Sequence, residues 1–474
     1  MAASMDGTEP GPFELGPFFP DARAGEALLE RAAALVAEGH RLEAVNGPLA
    51  AALRPLLVSM NACHASELDG RPLRPMDIES PGASGASLDT GPGAALALAR
   101  AHAAAELALS AALPQRSVGL YAPEFVQCIH AELHRRPTSS EPRASADPSD
   151  DLANVSEDPK PASPAPSPRR KTSRAPSPSA AAFADAPGAW RRSPVDAARG
   201  ARPDEISDLL DHWQGIYSKP FAPAPAIVAA LCAGQRLLGV RPFERGNGRS
   251  ARLHTHLALA ALGVTQGLWS PLRAMAKDRA GYRQLLRRAI AAVPPRQRED
   301  ARREALGAYA TWLLDACLAE SRAARERLDP KRLERRLLDL LAWLGARSWV
   351  IGSERSVIKP DALEALHYAA ITGPVERARF IAMLGLQHRT GRRVLSSLID
   401  CGLLVSDSSR APVRFNLPWP SLRFLFPDVW SEAAASDDAN TANPWPADAR
   451  SAASGAHAIS LEAHSEPESR SAAG

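Results

Sequence analysis

The residues best placed to do chemistry lie in one segment, Val240-Arg241-Pro242-Phe243-Glu244-Arg245-Gly246-Asn247-Gly248-Arg249-Ser250-Ala251-Arg252. An apolar helical run, Ala226 to Val240, precedes it, and a second helical run opens at Arg249 and reaches Leu262. A Gly-Asn-Gly turn at a helix start lets backbone N–H groups approach an anion with no β-carbon in the way. The helix dipole favours negative charge at the same place. Arg249 and Arg252 stand three residues apart and share one face of the first turn. The pattern reads as a phosphate cradle or, equally, as a tight helix cap, and the turn alone does not separate the two.

The elements that must hold this segment are helices. Apolar residues recur at helical spacing from Gly25 to about Leu57, with Leu28, Leu29, Ala32, Leu35 and Val36 on one face. Further helices are predicted over 94–113, 120–135, 203–217, 224–240, 249–262, 278–293, 299–325 and 330–345. Period-2 alternation is nearly absent, so the fold class is mainly α. The 42 prolines are unevenly spread, with 13 of them in residues 137–203. The stretch 137–186 is rich in Ser, Pro, Ala and Asp and cannot bury enough apolar surface to offset its ordering entropy. It is predicted to be a disordered insertion, acidic first and then basic over 159–174. Its basic half could bind an acidic partner or be phosphorylated at Ser167 or Ser173; a solvated linker is the simpler alternative. Residues 1–24 and 432–474 are predicted to be loose ends.

Bulk composition excludes several classes. The 474 residues carry 56 basic and 53 acidic side chains, a near balance that makes no whole-protein case for nucleic acid. Fifty of the bases are arginine, a skew typical of GC-rich genomes, so a single arginine is weak evidence of function. No apolar run approaches the ~18–20 residues that span a bilayer. Met1 to Glu14 lacks a charged region followed by an apolar stretch, so no secretory signal and no membrane are expected. The cysteines, Cys63, Cys128, Cys232, Cys317 and Cys401, are dispersed with no C-x-x-C pair. Single buried thiols in a reducing, cytoplasmic setting are expected.

The central segment resembles the Fic (Fido-domain) signature, H-x-F-x-[D/E]-G-N-G-R-x-x-R, with Phe243, Gly246, Asn247, Gly248, Arg249 and Arg252 at the matching positions. Asn61 to Glu79 resembles the family's N-x-Y-x-S-x-x-x-E-G-x-x-x-x-P-x-D-I-E stretch, which holds an inhibitory helix. Asp69 and Gly70 stand at its Glu-Gly, and Ala65 at its Ser. Pro187-Gly188-Ala189-Trp190-Arg191, with Val195, resembles the P-G-x-x-R-x-x-x-V flap, a small β-hairpin that docks an extended segment of a target protein. Residues 268–430 resemble the helices and C-terminal winged helix of bacterial two-domain members. The resemblance covers about 25–136 and 187–430. It implies a Fic core over 187–345 joined to the helices of 25–136, a winged-helix domain over 346–431, and transfer of AMP from ATP to a hydroxyl of a target protein. Gly246, Asn247, Gly248, Arg249 and Arg252 would bind the nucleotide.

Two departures bear on the chemistry. Arg241 stands where the family has its catalytic His, and a guanidinium with a pKa above ~12 cannot accept a proton. Arg245 stands where the family's Asp/Glu ligates Mg²⁺, and a cation there repels the metal. ATP is thus the expected cofactor, Mg²⁺ is doubtful, and a pseudoenzyme is implied. Glu244 is offset by one residue and points elsewhere. His254 and His256 read as packing or surface residues of the following helix. Asp69, one methylene shorter than Glu, reaches Arg252 only if its helix sits closer. Arg241 and Arg245 could instead neutralise phosphate without metal.

The C-terminal part is predicted to hold helices at 361–370, 374–384 and 389–401, then a hairpin of 403–405 with 413–415: a winged helix-turn-helix pattern. Between Glu376 and Arg414 seven arginines face three acids. Arg389, Arg392 and Arg393 would sit on the recognition helix, and Arg410 and Arg414 on the wing, suited to DNA phosphates. The same module serves equally as a protein-interaction or homodimer surface.

Overall fold

The computed structural model describes residues 16–20, 22–79, 92–113, 119–135, 187–194, 200–290, 298–346, 350–351, 354–355, 358 and 360–429. The predicted insertion, most of the two predicted loose ends and Val195 lie outside these. Five N-terminal helices are α1 (Ala22–Ala44), α2 (Pro48–Leu68), α3 (Pro75–Glu79), α4 (Pro92–Ala112) and α5 (Pro123–Leu133). Seven more follow: α6 (Ile206–Tyr217), α7 (Pro223–Val240), α8 (Asn247–Ala261), α9 (Pro271–Lys277), α10 (Arg279–Ile290), α11 (Arg298–Arg327) and α12 (Pro330–Gly345). A two-residue antiparallel pair, β1 (Val350–Ile351) with β2 (Glu354–Arg355), leads to α13 (Leu363–Thr372), α14 (Arg377–Met383) and α15 (His388–Asp400). The hairpin β3 (Leu404–Val405) with β4 (Arg414–Phe415) and the short α16 (Leu422–Leu425) end the described chain. The fold is mainly α.

The helix predicted from Gly25 to Leu57 is two helices. Asn46-Gly47 turns the chain, and Pro48 at the start of α2 supplies no N–H to continue α1. The five-residue α3 and seven-residue α9 were not predicted, being too short to show a period. α9 nevertheless opens on Ser270, whose Oγ accepts the Leu272 N–H at 3.2 Å, and on Pro271.

α7 lies at the centre, against α1, α6, α8 and α11. Contrary to the sequence reading, its 18 residues are long and apolar enough to cross a bilayer by length and composition. Most of that run is buried inside the protein, with Ile227 through Leu238 all buried, which is the signature of a core helix. α12 turns Leu333, Leu337, Leu340, Leu341 and Leu344 onto α13 and α16.

α13 packs on α2, and one hydrophobic core runs from Leu28 through α7 to Val429. Several polar ties fasten the C-terminal segment to the helices before it, among them Arg336 Nη1 to Leu425 O at 3.0 Å and Arg273 to Asp428 O. Trp419 Nε1 donates to Glu79 at 2.5 Å, while Arg327 holds Asp428 at 2.7 Å. Val375 bridges to Val413, so a third short extended segment joins the β3–β4 hairpin after α13. Cys63, Cys232, Cys317 and Cys401 are buried, Cys128 is half-buried, and all five are free thiols.

Candidate functional site

The α7–α8 connection forms a rigid loop. Arg241 ends α7 in the left-handed region (φ 53°), an uncommon conformation for a residue with a β-carbon. Gly246 opens α8 at φ 75°, and His134 Nε2 lies 2.4 Å from where its β-carbon would be. Only glycine meets both conditions. The Asn247 side chain closes the loop from within: its Nδ2 donates to Phe243 O at 2.7 Å and its Oδ1 accepts the Phe243 N–H at 2.9 Å. No side chain caps α8, so its first-turn N–H groups are the ones an anion would meet. Gly248 and Arg249 are buried in that turn and Arg252 is buried at the start of the next.

Under the loop, Phe243 stacks on His130, ring centroids 3.8 Å apart and 11° from parallel. His130 Nδ1 accepts the Gly188 N–H at 2.9 Å, so Nε2 carries the proton and donates it to Arg245 O at 3.2 Å. Burial, with the neighbouring His134, pushes His130 down to a pKa of about 3 and keeps it neutral.

The segment 187–194 carries no strand pairing among the described residues, and the rest of the flap lies outside them. Arg191 is buried and serves the loop: Nε donates to Arg241 O at 2.7 Å, Nη1 to Ser193 O at 2.9 Å and Nη2 to Ala201 O, while its N–H reaches Pro242 O at 2.8 Å. It is thus a wall of the site, not a presented docking group, and its hold on Arg241 O pins the left-handed residue. Glu244 turns the other way and accepts the N–H groups of Arg192 and Ser193 at 2.8 and 2.7 Å. Burial raises the Glu244 pKa, but these donors outweigh it and hold the carboxylate below its usual range. Trp190 is half-buried with its ring 5.3 Å from Phe243, and Gly188 sits at φ 88° over Gln127 O.

Asp69 closes the cradle. It caps α2 and is buried. Arg249 gives it Nε at 2.9 Å and Nη2 at 2.5 Å, and Arg252 Nη2 takes its other oxygen. Despite its short side chain Asp69 therefore reaches both arginines. Burial alone would raise its pKa; the two guanidiniums overcome that and hold it below the usual carboxylate range. Arg249 also reaches Ser66 Oγ and Leu98 O, each at 3.3 Å. Arg252 contacts the buried Tyr282 hydroxyl. Arg283 Nη2 donates to Leu68 O at 3.2 Å, and Arg279 Nη2 lies 3.0 Å from the position of a Gly70 β-carbon. Gly70 itself takes φ 83°.

The sequence showed the loop and Asp69 but not Ser66, His130, His134, Tyr282, Arg279 or Arg283. Each of these partners comes from another helix. His254 and His256 are packing residues, as read, and neither lies at the surface. His254 is buried among Trp213, Tyr121 and Phe125 and donates to Leu120 O at 3.1 Å. His256 bonds Ser270 Oγ at 3.0 Å and pairs with Glu106 at 3.3 Å.

The residues present do not suit Mg²⁺. Arg245 is exposed at the position the resemblance gives the metal ligand, and Arg241 is half-buried. Glu244 is committed to the flap segment. Among the described residues no group of three His, Cys, Asp or Glu converges as a metal site. The residues do suit a phosphate: two arginines and an uncapped helix start, with the carboxylate of Asp69 in the place an anion would take.

On the C-terminal unit, Arg389, Arg392 and Arg393 are exposed on α15 and Arg410 is exposed between β3 and β4. Arg414 is half-buried and paired with Asp407 at 2.6 Å.

No protein-family model and no curated protein matches the chain. Among solved structures it is similar to a Fic family protein from Desulfovibrio desulfuricans G20, with 13% sequence identity and a TM-score of 0.41, over 85% of this chain and 98% of that one.

Proposed function

We propose that this chain is a Fic-type protein whose signature loop is a nucleotide-phosphate site, related to the protein AMP-transferases and impaired in catalysis. The observation that carries the reading is the Asp69 bridge. A buried carboxylate joins Arg249 and Arg252, 180 and 183 residues away, at the start of an uncapped helix. This is an anion seat held by an internal anion. ATP is the ligand class, seated by the first-turn N–H groups of α8 with Arg249 and Arg252. Arg241 supplies no base and Arg245 no metal ligand, so the chain binds and does not turn over. A target peptide would meet the exposed Arg192, Ser193 and Pro194.

Calorimetry with ATP, with and without Mg²⁺, tests this. Metal-independent binding is expected, with no transfer of label from ATP to partner proteins. Arg241→His combined with Arg245→Asp should restore measurable transfer if only those two groups were lost. Absence of ATP binding to the wild type and to an Asp69 variant would refute the reading.

A second reading rests on Arg389, Arg392 and Arg393. They are exposed along α15 and form no ion pair among the described residues, in a unit ordered helix, helix, helix, hairpin. We propose that this face contacts DNA phosphates. Three such contacts predict a slope near −3 in log affinity against log salt, or about a 50-fold loss between 50 and 200 mM salt. Anisotropy with a short duplex measures it. Arg392→Ala with Arg393→Ala should flatten the slope, and no binding at low salt would rule the reading out.

A further inference from the structure

The Asp69 bridge leaves more positive charge at the site than it balances. Arg279, Arg283 and Arg287 stand at four-residue intervals on α10, so they form one stripe with a rise of about 6 Å per step. The stripe begins against the end of α2: Arg279 Nη2 packs at Gly70 and Arg283 Nη2 bonds Leu68 O, the two residues flanking Asp69. It then runs outward, since Arg279 and Arg283 are half-buried and Arg287 is exposed. Neither Arg279 nor Arg283 has a carboxylate partner among the described residues, and Asp69 is already shared by Arg249 and Arg252. A second observation is independent of this count. Arg252 Nε and Arg279 Nε are both buried and lack a hydrogen-bond partner among the described residues. Buried donors of this kind are costly to leave unmade. A ligand rich in acceptor oxygens would satisfy them, and would bring the negative charge that four clustered guanidiniums require.

We propose that Arg279 and Arg283 form a second phosphate subsite next to the cradle, for the outer phosphates of a nucleoside polyphosphate, with guanidinium charge in the place of a divalent cation. This rests on the nucleotide-phosphate reading of the loop and adds to it the ligand class: a polyphosphate, bound without metal. A monophosphate would be held by the α8 turn and would not extend to the stripe.

The test is calorimetric titration in EDTA with ATP, AMP and inorganic tripolyphosphate. The proteins are the wild type, Asp69→Asn, and Arg279→Ala with Arg283→Ala in both backgrounds. Both arginines are partly exposed, so the double variant should keep its melting temperature; Arg279→Gln with Arg283→Gln is the substitute if it does not. The double variant is expected to lose about tenfold or more in affinity for ATP and tripolyphosphate, the loss of charge-assisted bonds, and to bind AMP as before. Equal ATP affinity with and without the two arginines would overturn the subsite while leaving the cradle intact. ATP binding that vanishes in EDTA would also overturn it. No binding of ATP to the wild type or to Asp69→Asn would remove both readings together.

Discussion

Asp69→Ala is expected to destabilise the protein by about 3–5 kcal/mol, because it strands two buried guanidiniums without their counter-charge. Arg249, Arg252 and Asp69 have side-chain exposures of only 2–4%, so water cannot take the place of the carboxylate. The loss would come from uncompensated charge more than from absent packing. A neutral replacement of all three groups, Asp69→Leu with Arg249→Met and Arg252→Leu, should therefore cost much less than the single change. The single variant should also be rescued by anions. ATP or tripolyphosphate added to Asp69→Ala would occupy the seat the carboxylate leaves and raise the urea midpoint by mass action. The triple variant should show no rescue. Urea unfolding with and without the anion reads both effects. A cost under about 1 kcal/mol, within the range of ordinary surface changes, would mean that Asp69 is not holding the arginines. A full cost without rescue would mean that the arginines are a structural knot and not a binding seat.

The division between what could be read in the chain and what could not follows the range of each interaction. Gly246 was legible because its constraint is local, a positive φ at a helix start. The full reason includes His134, 112 residues earlier, which no local pattern announces. Arg191 was read as part of a docking flap from its neighbours in sequence, yet it braces Arg241 O across 50 residues and is buried there. The break between α1 and α2 was available as Asn46-Gly47-Pro48 and was overridden by apolar spacing that continued past it. α7 differs again: 224–240 reads as a helix and no apolar run of membrane length is expected, yet the 18 residues of α7 meet that test. Its composition passes for a membrane span, and only its neighbours α1, α6, α8 and α11 show it to be a core helix. The α10 stripe was hidden by the composition itself, since in a chain with 50 arginines three at helical spacing carry no signal until Gly70 and Leu68 are found beside them.

Acid should unfold this protein from well above the carboxylate range, and the groups responsible are three buried histidines: His102, which burial holds well below its ordinary value, His130 and His254. His130 is pushed to a pKa of about 3 by burial and by His134, and His254 to about 4 by burial. All three sit below their ordinary value, so between about pH 6.5 and 4 the unfolded chain binds protons that the folded chain refuses. Stability therefore rises with pH across that window. The contribution is complete above about pH 6.5, shrinks as pH falls, and is gone once the folded groups themselves titrate. For His254 the shift corresponds to on the order of 3 kcal/mol. Its geometry explains the direction. Nε2–H already donates to Leu120 O, and Nδ1, among aromatic rings, has no hydrogen-bond partner among the described residues to receive a second proton. His254→Phe should remove this residue's share of the slope, so its deficit against wild type, measured by urea at pH 7.5, should narrow or reverse at pH 4.5. An unchanged deficit at both values would sink the assignment. His130 adds a consequence for the site. Protonating Nδ1 sets it against the Gly188 N–H that it now accepts, and the Phe243 stack and the Arg245 O contact depend on the same ring. Because the folded His130 takes up that proton only near pH 3, release of the 187–194 segment from the loop, and with it anion binding at the α8 turn, should accompany acid unfolding and not precede it.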